Sequence, residues 1–256
     1  MNGAMLDTAS LTLVTGATQG IGAAIARRFA ADGARVAIND RAAGPAMNAI
    51  VRELSGVAAP ADVSDRAQVT AMVRQLLDQV GPIGTLVCNA AYMTMSPFLE
   101  HASDDWWKII DTNLTGPFHL VQEVLPSMRA LGSGRIVIVS SYWGVVGWPD
   151  ATAYAASKAG LVALVKTLGR ELAPEGIIVN GIAPGVTSTP QLDVDAAAQG
   201  CSVGAIEDFY AERIPLGRVA QPHEIAAGVA FLADRRIGSM IGTVLQINGG
   251  EVRCRA

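Results

Sequence analysis

The sequence predicts a doubly wound α/β sheet of about seven parallel strands with helices on both faces. Three observations carry this reading. Short β-rich apolar runs alternate with longer helical patterns along the chain, an order that implies parallel pairing through right-handed crossovers. The strand runs are continuously apolar rather than alternating, as in strands covered on both faces. The first run enters a glycine-rich turn that opens a helix.

Taken in order, LTLVT (11–15) is the first strand, and IGAAIARRFAADG (21–33) is a helix that stops at Gly33. ARVAIND (34–40) is the second strand, a helix covers roughly 44–55, and GVAAPAD (56–62) is the third strand. SDRAQVTAMVRQLLDQVG (64–81) reads as a helix with Ser64 at its N-cap and Gly81-Pro82 at its end. TLVCNAA (85–91) is the fourth strand, followed by a long helix over 104–132 with a Gly-Pro interruption. GRIVIVSS (134–141) is the fifth strand, 151–176 another long helix, IIVNGIAPG (177–185) the sixth strand and TVLQINGG (243–250) the seventh. Residues 186–220 break the rhythm at the strand carboxyl ends, where such sheets bind ligands. They read as a mobile segment that covers substrate, or as an ordinary surface loop. With no linker or repeat, the 256 residues are expected to form a single domain, 1–256.

Composition excludes several classes. Half of the residues are hydrophobic and 16% are charged, against roughly 25% charged in an average soluble protein, so a disordered chain is excluded. A net charge of −4 argues against a nucleic-acid surface. No apolar run reaches the length of a membrane helix, and MNGAMLDTAS lacks the pattern of a secretory signal. Cys88, Cys201 and Cys254 show neither a disulfide framework nor a zinc pattern, which points to a reducing cytoplasm. His101, His119 and His223 are isolated, so no metal is expected, and His119 reads as an interior or interface histidine.

The first turn runs Thr15, Gly16, Ala17, Thr18, Gln19, Gly20, Ile21, Gly22. Glycines let a backbone approach a pyrophosphate, and the following helix N-terminus supplies N–H groups; the bland alternative is a tight turn with no ligand. Asp40 stands 20 residues after Gly20 at a strand end. A carboxylate there accepts hydrogen bonds from the ribose of NAD and repels the 2′-phosphate of NADP. Arg41 complicates this, since a guanidinium can pair with that phosphate. NAD is the expected cofactor and NADP the lesser choice. Asp62 can touch the adenine edge or join Ser64 in capping a helix.

Tyr154 and Lys158 lie four apart on one helix face. A phenol near pKa 10 is a poor base, and a neighbouring ammonium lowers that value. Ser141, thirteen residues before Tyr154, ends a strand where its hydroxyl can hold a carbonyl oxygen.

With these motifs in order, the chain resembles the short-chain dehydrogenase/reductase family over about residues 8–250. TGATQGIG (15–22), Asp62-Val63, CNAA (88–91), Asn113 in DTNLTG, Ser141, Tyr154 and Lys158 match family motifs, as do VNGIAPGVTST, PLGR (215–218) and GTVLQINGG (242–250). The resemblance implies a Rossmann-like sheet and makes Tyr154 the general acid/base. Lys158 would hold the nicotinamide ribose and depress the Tyr154 pKa, Ser141 would orient the substrate oxygen, and Asn113 would keep a water in a proton relay. It adds Val63 and Asn89 to the nucleotide contacts. Asn180, Pro184, Gly185 and Thr189 belong to its nicotinamide segment, where Thr187 uses mainly its backbone. Cys88 and Ala91 depart from the family's Asn-Asn-Ala-Gly.

Trp143 and Trp148 are expected either to border the substrate or to pack, and Tyr92, Met93 and Met95 to line the same pocket or to fill a loop; Trp106 is expected in the core. The tail arginines Arg253 and Arg255 could meet an anionic substrate in a neighbouring subunit. The expected function is NAD-dependent oxidation of a secondary alcohol, with a polyol, sugar or sugar acid as the small-molecule substrate and a homotetramer as the assembly. The alternatives are a 3-oxoacyl thioester reductase using NADPH and a non-catalytic nicotinamide-nucleotide-binding protein.

Overall fold

The computed structural model describes residues 9–252. Its strands are β1 (Leu11–Val14), β2 (Arg35–Asp40), β3 (Val57–Pro60), β4 (Ile83–Cys88), β5 (Gly134–Val139), β6 (Ile177–Pro184) and β7 (Val244–Ile247). They form one sheet in the order β3-β2-β1-β4-β5-β6-β7, with every pairing parallel. The helices are α1 (Gly20–Ala31), α2 (Pro45–Leu54), α3 (Arg66–Gln79), α4 (Ser103–Ile110), α5 (Gly116–Leu131), α6 (Trp143–Val146), α7 (Thr152–Leu172), α8 (Gln191–Gln199), α9 (Val203–Ala211) and α10 (Pro222–Ala233).

Successive strand residues point to opposite faces, and here both faces are covered. Leu13, Leu86, Ile136 and Val179 meet Val73, Val124 and Leu161 from α3, α5 and α7. Their chain neighbours Val14, Val87 and Val137 meet Ile25, Phe29, Ile225 and Val229 from α1 and α10. Each such side chain contributes about 1.5–3 kcal/mol by leaving water, which is why the strand runs are apolar without a break. Chain order reverses between β1 and β4, so a crevice opens at their carboxyl ends, where ligands bind in such sheets.

Three expectations need correction. The long helix over 104–132 is interrupted at Asp111–Thr115, a π-helical turn, and not at the Gly-Pro pair. Gly116 and Pro117 follow that turn directly at the start of α5; Pro117 has no N–H to return to the helical turn before it, and a Cβ on Gly116 would sit 2.9 Å from Val63 Cγ2. Asp65, not Ser64, caps α3, accepting from the amides of Ala67 and Gln68. Residues 186–220 are not structureless, since they hold α8 and α9. The sequence reading also placed no boundaries on α10, which opens with a capping box between Gln221 and Glu224.

Candidate active site

The glycine-rich turn lies in the β1–β4 crevice. Gly16 and Gly20 take φ of 59° and 53°, a region that favours glycine. A Cβ on Gly22 would come within 2.0 Å of the Gly16 carbonyl oxygen, so the turn and α1 fit together only with glycine there. Asn89 Nδ2 donates to the carbonyls of Thr15 and Gly16 at 2.9 and 3.1 Å, lacing the end of β4 to the turn. Gln19 precedes α1 without capping it, so its first N–H groups are available to an anion.

At the end of β2, Asp40 accepts from the Thr18 hydroxyl and from the Arg41 amide at 2.8 Å. The Arg41 residue is exposed. Asp62 accepts from the amide and hydroxyl of Ser64 at 2.9 and 2.6 Å. Asp40, Arg41, Asp62 and Ser64 line a groove of about 420 Å³ that also includes Ile21, Val63 and Asn89, and Thr18 supports Asp40 without lining it. An uncapped helix end, a glycine cradle and a carboxylate at the second strand fit a dinucleotide.

A second cavity, of about 180 Å³, adjoins it, and Ile21, Asn89, Ala91 and Thr189 border both. Its floor brings together Ser141, just past β5, with Tyr154 and Lys158 on α7. Ser140 Oγ donates to the Lys158 carbonyl at 2.8 Å and ties α7 to the sheet. Lys158, 2% exposed, donates from Nζ to the Val139 carbonyl at 2.9 Å. Burial pushes its ammonium down to about 8, and the Cys88 thiol beside it opposes that shift. Burial pushes Tyr154 up to about 12, a hydrogen bond with Ser141 opposes it, and the Asp195 carboxylate adds to it. The expected lowering of Tyr154 by Lys158 is therefore not seen here. The ammonium lies 5.4 Å from the phenol ring centre and is bound to backbone, and desolvation is the larger effect.

The other expected residues divide by position. Pro184, the last residue of β6, and Gly185, Thr187 and Thr189 beyond it line the cavity, and a Cβ on Gly185 would lie 2.7 Å from Asn248 Cα. Asn180 does not join them, because it donates to the Met240 carbonyl and accepts from the Thr243 amide. Asn113 sits in the π-helical turn, accepts from the Tyr92 amide at 2.7 Å, and donates to the Tyr92 carbonyl and Ser157 Oγ. Met93 and Trp143 line the cavity, and Trp148 stacks on Trp143 at 5.0 Å. Tyr92 lines the larger groove, while Met95 is exposed. His119 is buried, with Nδ1 3.3 Å from the Val63 carbonyl. Trp106 is half-buried, edge-on to His101. Arg253 and Arg255 lie outside the described residues.

Sequence reasoning missed the wall made by Gln191, Leu192, Asp195 and Tyr210. The signal was faint: Leu192 and Ala196, then Ile206 and Tyr210, are buried i,i+4 pairs on α8 and α9, and Ser202 is an N-cap that accepts from the Ala205 amide. Among the described residues no group of three metal-ligating side chains occurs. No helix among them is long and apolar enough to cross a membrane.

Fold and groove together define a doubly wound α/β protein with a crevice suited to a dinucleotide at its switch point. A family model described as Enoyl-(Acyl carrier protein) reductase matches residues 16–251. The 3-oxoacyl-[acyl-carrier-protein] reductase FabG of Staphylococcus aureus is 36% identical over 243 residues, covering 93% of this chain and 96% of its own. FabG of Thermotoga maritima is 36% identical over 246 residues, covering 94% and 96%. A short-chain dehydrogenase/reductase of Armillaria gallica is 36% identical over 251 residues, covering 94% and 95%. The chain belongs to the short-chain dehydrogenase/reductase family. A solved structure named as ribose-5-phosphate isomerase from Brucella melitensis 16M superposes with a TM-score of 0.90 at 29% identity, covering 97% of this chain and 95% of that one. An isomerase name on this architecture means that the chemistry has to be argued from the site and not from the fold.

Proposed function

We propose that this chain catalyses hydride transfer between a nicotinamide nucleotide and the ketone or secondary alcohol of a 3-oxoacyl or 3-hydroxyacyl compound, with NAD(H) preferred. The observation that carries the reaction type is the convergence of Ser141, Tyr154 and Lys158 on the floor of a cavity that adjoins the nucleotide groove. The curated relatives named as 3-oxoacyl reductases support an acyl substrate over the polyol or sugar acid expected from the sequence. The apolar wall of Met93, Trp143, Val186 and Leu192 supports it too. Asp40 supports NAD(H), since its carboxylate suits ribose hydroxyls and repels a 2′-phosphate.

When bound, the nicotinamide supplies the hydride in reduction and receives it in oxidation. Tyr154 gives its proton to the carbonyl oxygen in reduction and takes the hydroxyl proton in oxidation. The Ser141 hydroxyl, hydrogen-bonded with Tyr154, orients the same oxygen. The Lys158 ammonium lies 5.4 Å from the phenol ring centre, and in this proposal its charge favours the phenolate against the burial that opposes it. Asn113 fixes Tyr92 and, through Ser157, holds α7 in place; a relay through its amide is part of this proposal. Exposed Trp107 and Phe118, on α4 and α5, support self-association, and a homotetramer is the assembly proposed. The reducing cytoplasm remains the proposed compartment.

A second reading, oxidation of a polyol or sugar hydroxyl, is favoured by the polar side chains of Gln191, Asp195 and Tyr210 in the same cavity. Initial rates with NADH and NADPH, and with the oxidised forms, over 3-oxoacyl thioesters, polyols and sugar acids decide between them. Turnover of polyols alone would overturn the acyl reading, and a strong NADPH preference would overturn the argument from Asp40.

A further inference from the structure

The reaction uses Ser141, Tyr154 and Lys158, but the cavity holds a further charged group that this chemistry does not need. Asp195, on α8, is 7% exposed and lines the cavity. Its Oδ1 accepts from Gln191 Nε2 at 3.0 Å. The hydrogen bonds found among the described residues leave its Oδ2 to the cavity that Asp195 lines. A carboxylate oxygen on a cavity wall can exchange its water for a bound donor, and a hydrogen bond to a charged acceptor is among the stronger ones. A second carboxylate, Glu251, lies behind Tyr142: Glu251 Oε1 accepts from the Tyr142 hydroxyl at 3.0 Å, and Oε2 is buried with no partner among the described residues. The nearby cation Arg213 stacks on Phe209 and donates to the Phe209 carbonyl; its charge acts on Glu251 through space, and no ion pair joins it to Asp195 among the described residues. The α8 end of the cavity is therefore negative, and its walls are otherwise largely apolar.

We infer that Asp195 selects the substrate: its free oxygen accepts from a hydroxyl or ammonium group carried near the reacting carbonyl, and its charge turns carboxylates away. This rests on the acyl reading for the scaffold but not for the selection itself. A plain alkyl chain leaves Asp195 unpaired, so an unsubstituted acyl substrate is the poorer one.

The test compares matched ligands on two scaffolds: an acetoacetyl thioester against its terminal-hydroxyl derivative, and a simple dialkyl ketone against its terminal-hydroxyl, amine and carboxylate derivatives. kcat/KM is measured for the wild type, Asp195→Asn and Asp195→Leu, and the folding of each variant is checked by its melting temperature. The wild type is expected to favour a donor-bearing form by roughly 10- to 100-fold, the range for a hydrogen bond to a charged group; the hydroxyl and amine arms tell which donor it is. Asp195→Leu abolishes that preference. Asp195→Asn, which keeps the shape and loses the charge, raises kcat/KM for the carboxylate form. Equal rates for donor and alkyl forms in the wild type, or an unchanged ratio in both variants, would overturn the inference. If the ketones show the pattern and the thioesters are not turned over, the acyl reading fails and the selection stands. If neither scaffold is turned over, the same ratios are read as Kd in the presence of NADH, and equal affinities overturn the inference.

Discussion

At the scale of the residue, the floor of the cavity sets a conflict between burial and charge. Tyr154 is pushed up to about 12 and Lys158 down to about 8, both chiefly by burial. Reduction needs the protonated phenol and oxidation needs the phenolate, so kcat/KM for ketone reduction is expected to fall, and that for alcohol oxidation to rise, as pH increases. Parallel slopes in the two directions would contradict Tyr154 as the proton carrier. Tyr154→Phe removes the proton and is expected to lower kcat roughly 10²–10⁴-fold, with the nucleotide Kd changed little. Lys158 binds its proton less tightly in the folded chain than in the unfolded one, so its penalty is complete below about pH 8 and fades as pH rises toward 10.5. Lys158→Met is therefore expected to raise folding stability at pH 7 by about 1–3 kcal/mol, seen as a higher melting temperature, while activity is lost. That gain should shrink when melting is repeated above pH 10. Residue types and their order were readable for Ser141, Tyr154 and Lys158. The direction of the Tyr154 shift was not, because it depends on where the lysine points and how much water reaches the ring.

At the scale of the element, the parts that form the site are held by close backbone approaches. A Cβ on Gly22 would lie 2.0 Å from a backbone oxygen that cannot turn aside. Gly22→Ala is expected to cost about 1–3 kcal/mol or more, several degrees in melting temperature for a domain of this size, and to weaken nucleotide binding in calorimetry. Gly238→Ala is the control, with nothing within 4 Å of the added atom, and its melting temperature should barely move. Strands and most helices were legible because each buries an apolar face that its sequence has to display. The Gly116-Pro117 pair marked an interruption, but not that it takes the form of a π-helical turn over Asp111–Thr115, because no residue type marks a shift in hydrogen-bond register. The effect of that turn is to place Asn113 against Tyr92 and Ser157. The helices over 186–220 were missed for another reason. α8 is short and alanine-rich, with little polar contrast between its faces, so its burial under the cavity is decided by packing rather than pattern.

At the scale of the whole molecule, the low charge content has two outlets. The sheet is covered on both faces, yet Trp107 and Phe118 remain 58% and 44% exposed on α4 and α5. Light scattering is expected to give a mass near four times that of the chain, and Phe118→Asp should shift it toward smaller species; a monomeric wild type would refute the tetramer. The sequence by itself determined the sheet class, the glycine turn, Asp40 and the order of Ser141, Tyr154 and Lys158, because these depend on local periodicity, backbone freedom and spacing along one helix. Tertiary structure alone decided that Asn180 braces Met240 and Thr243, that Lys158 faces the sheet rather than the phenol hydroxyl, and that Asp195 closes the cavity. The reason is physical. Those outcomes depend on which distant side chains exclude water from one another, and chain spacing carries no record of that.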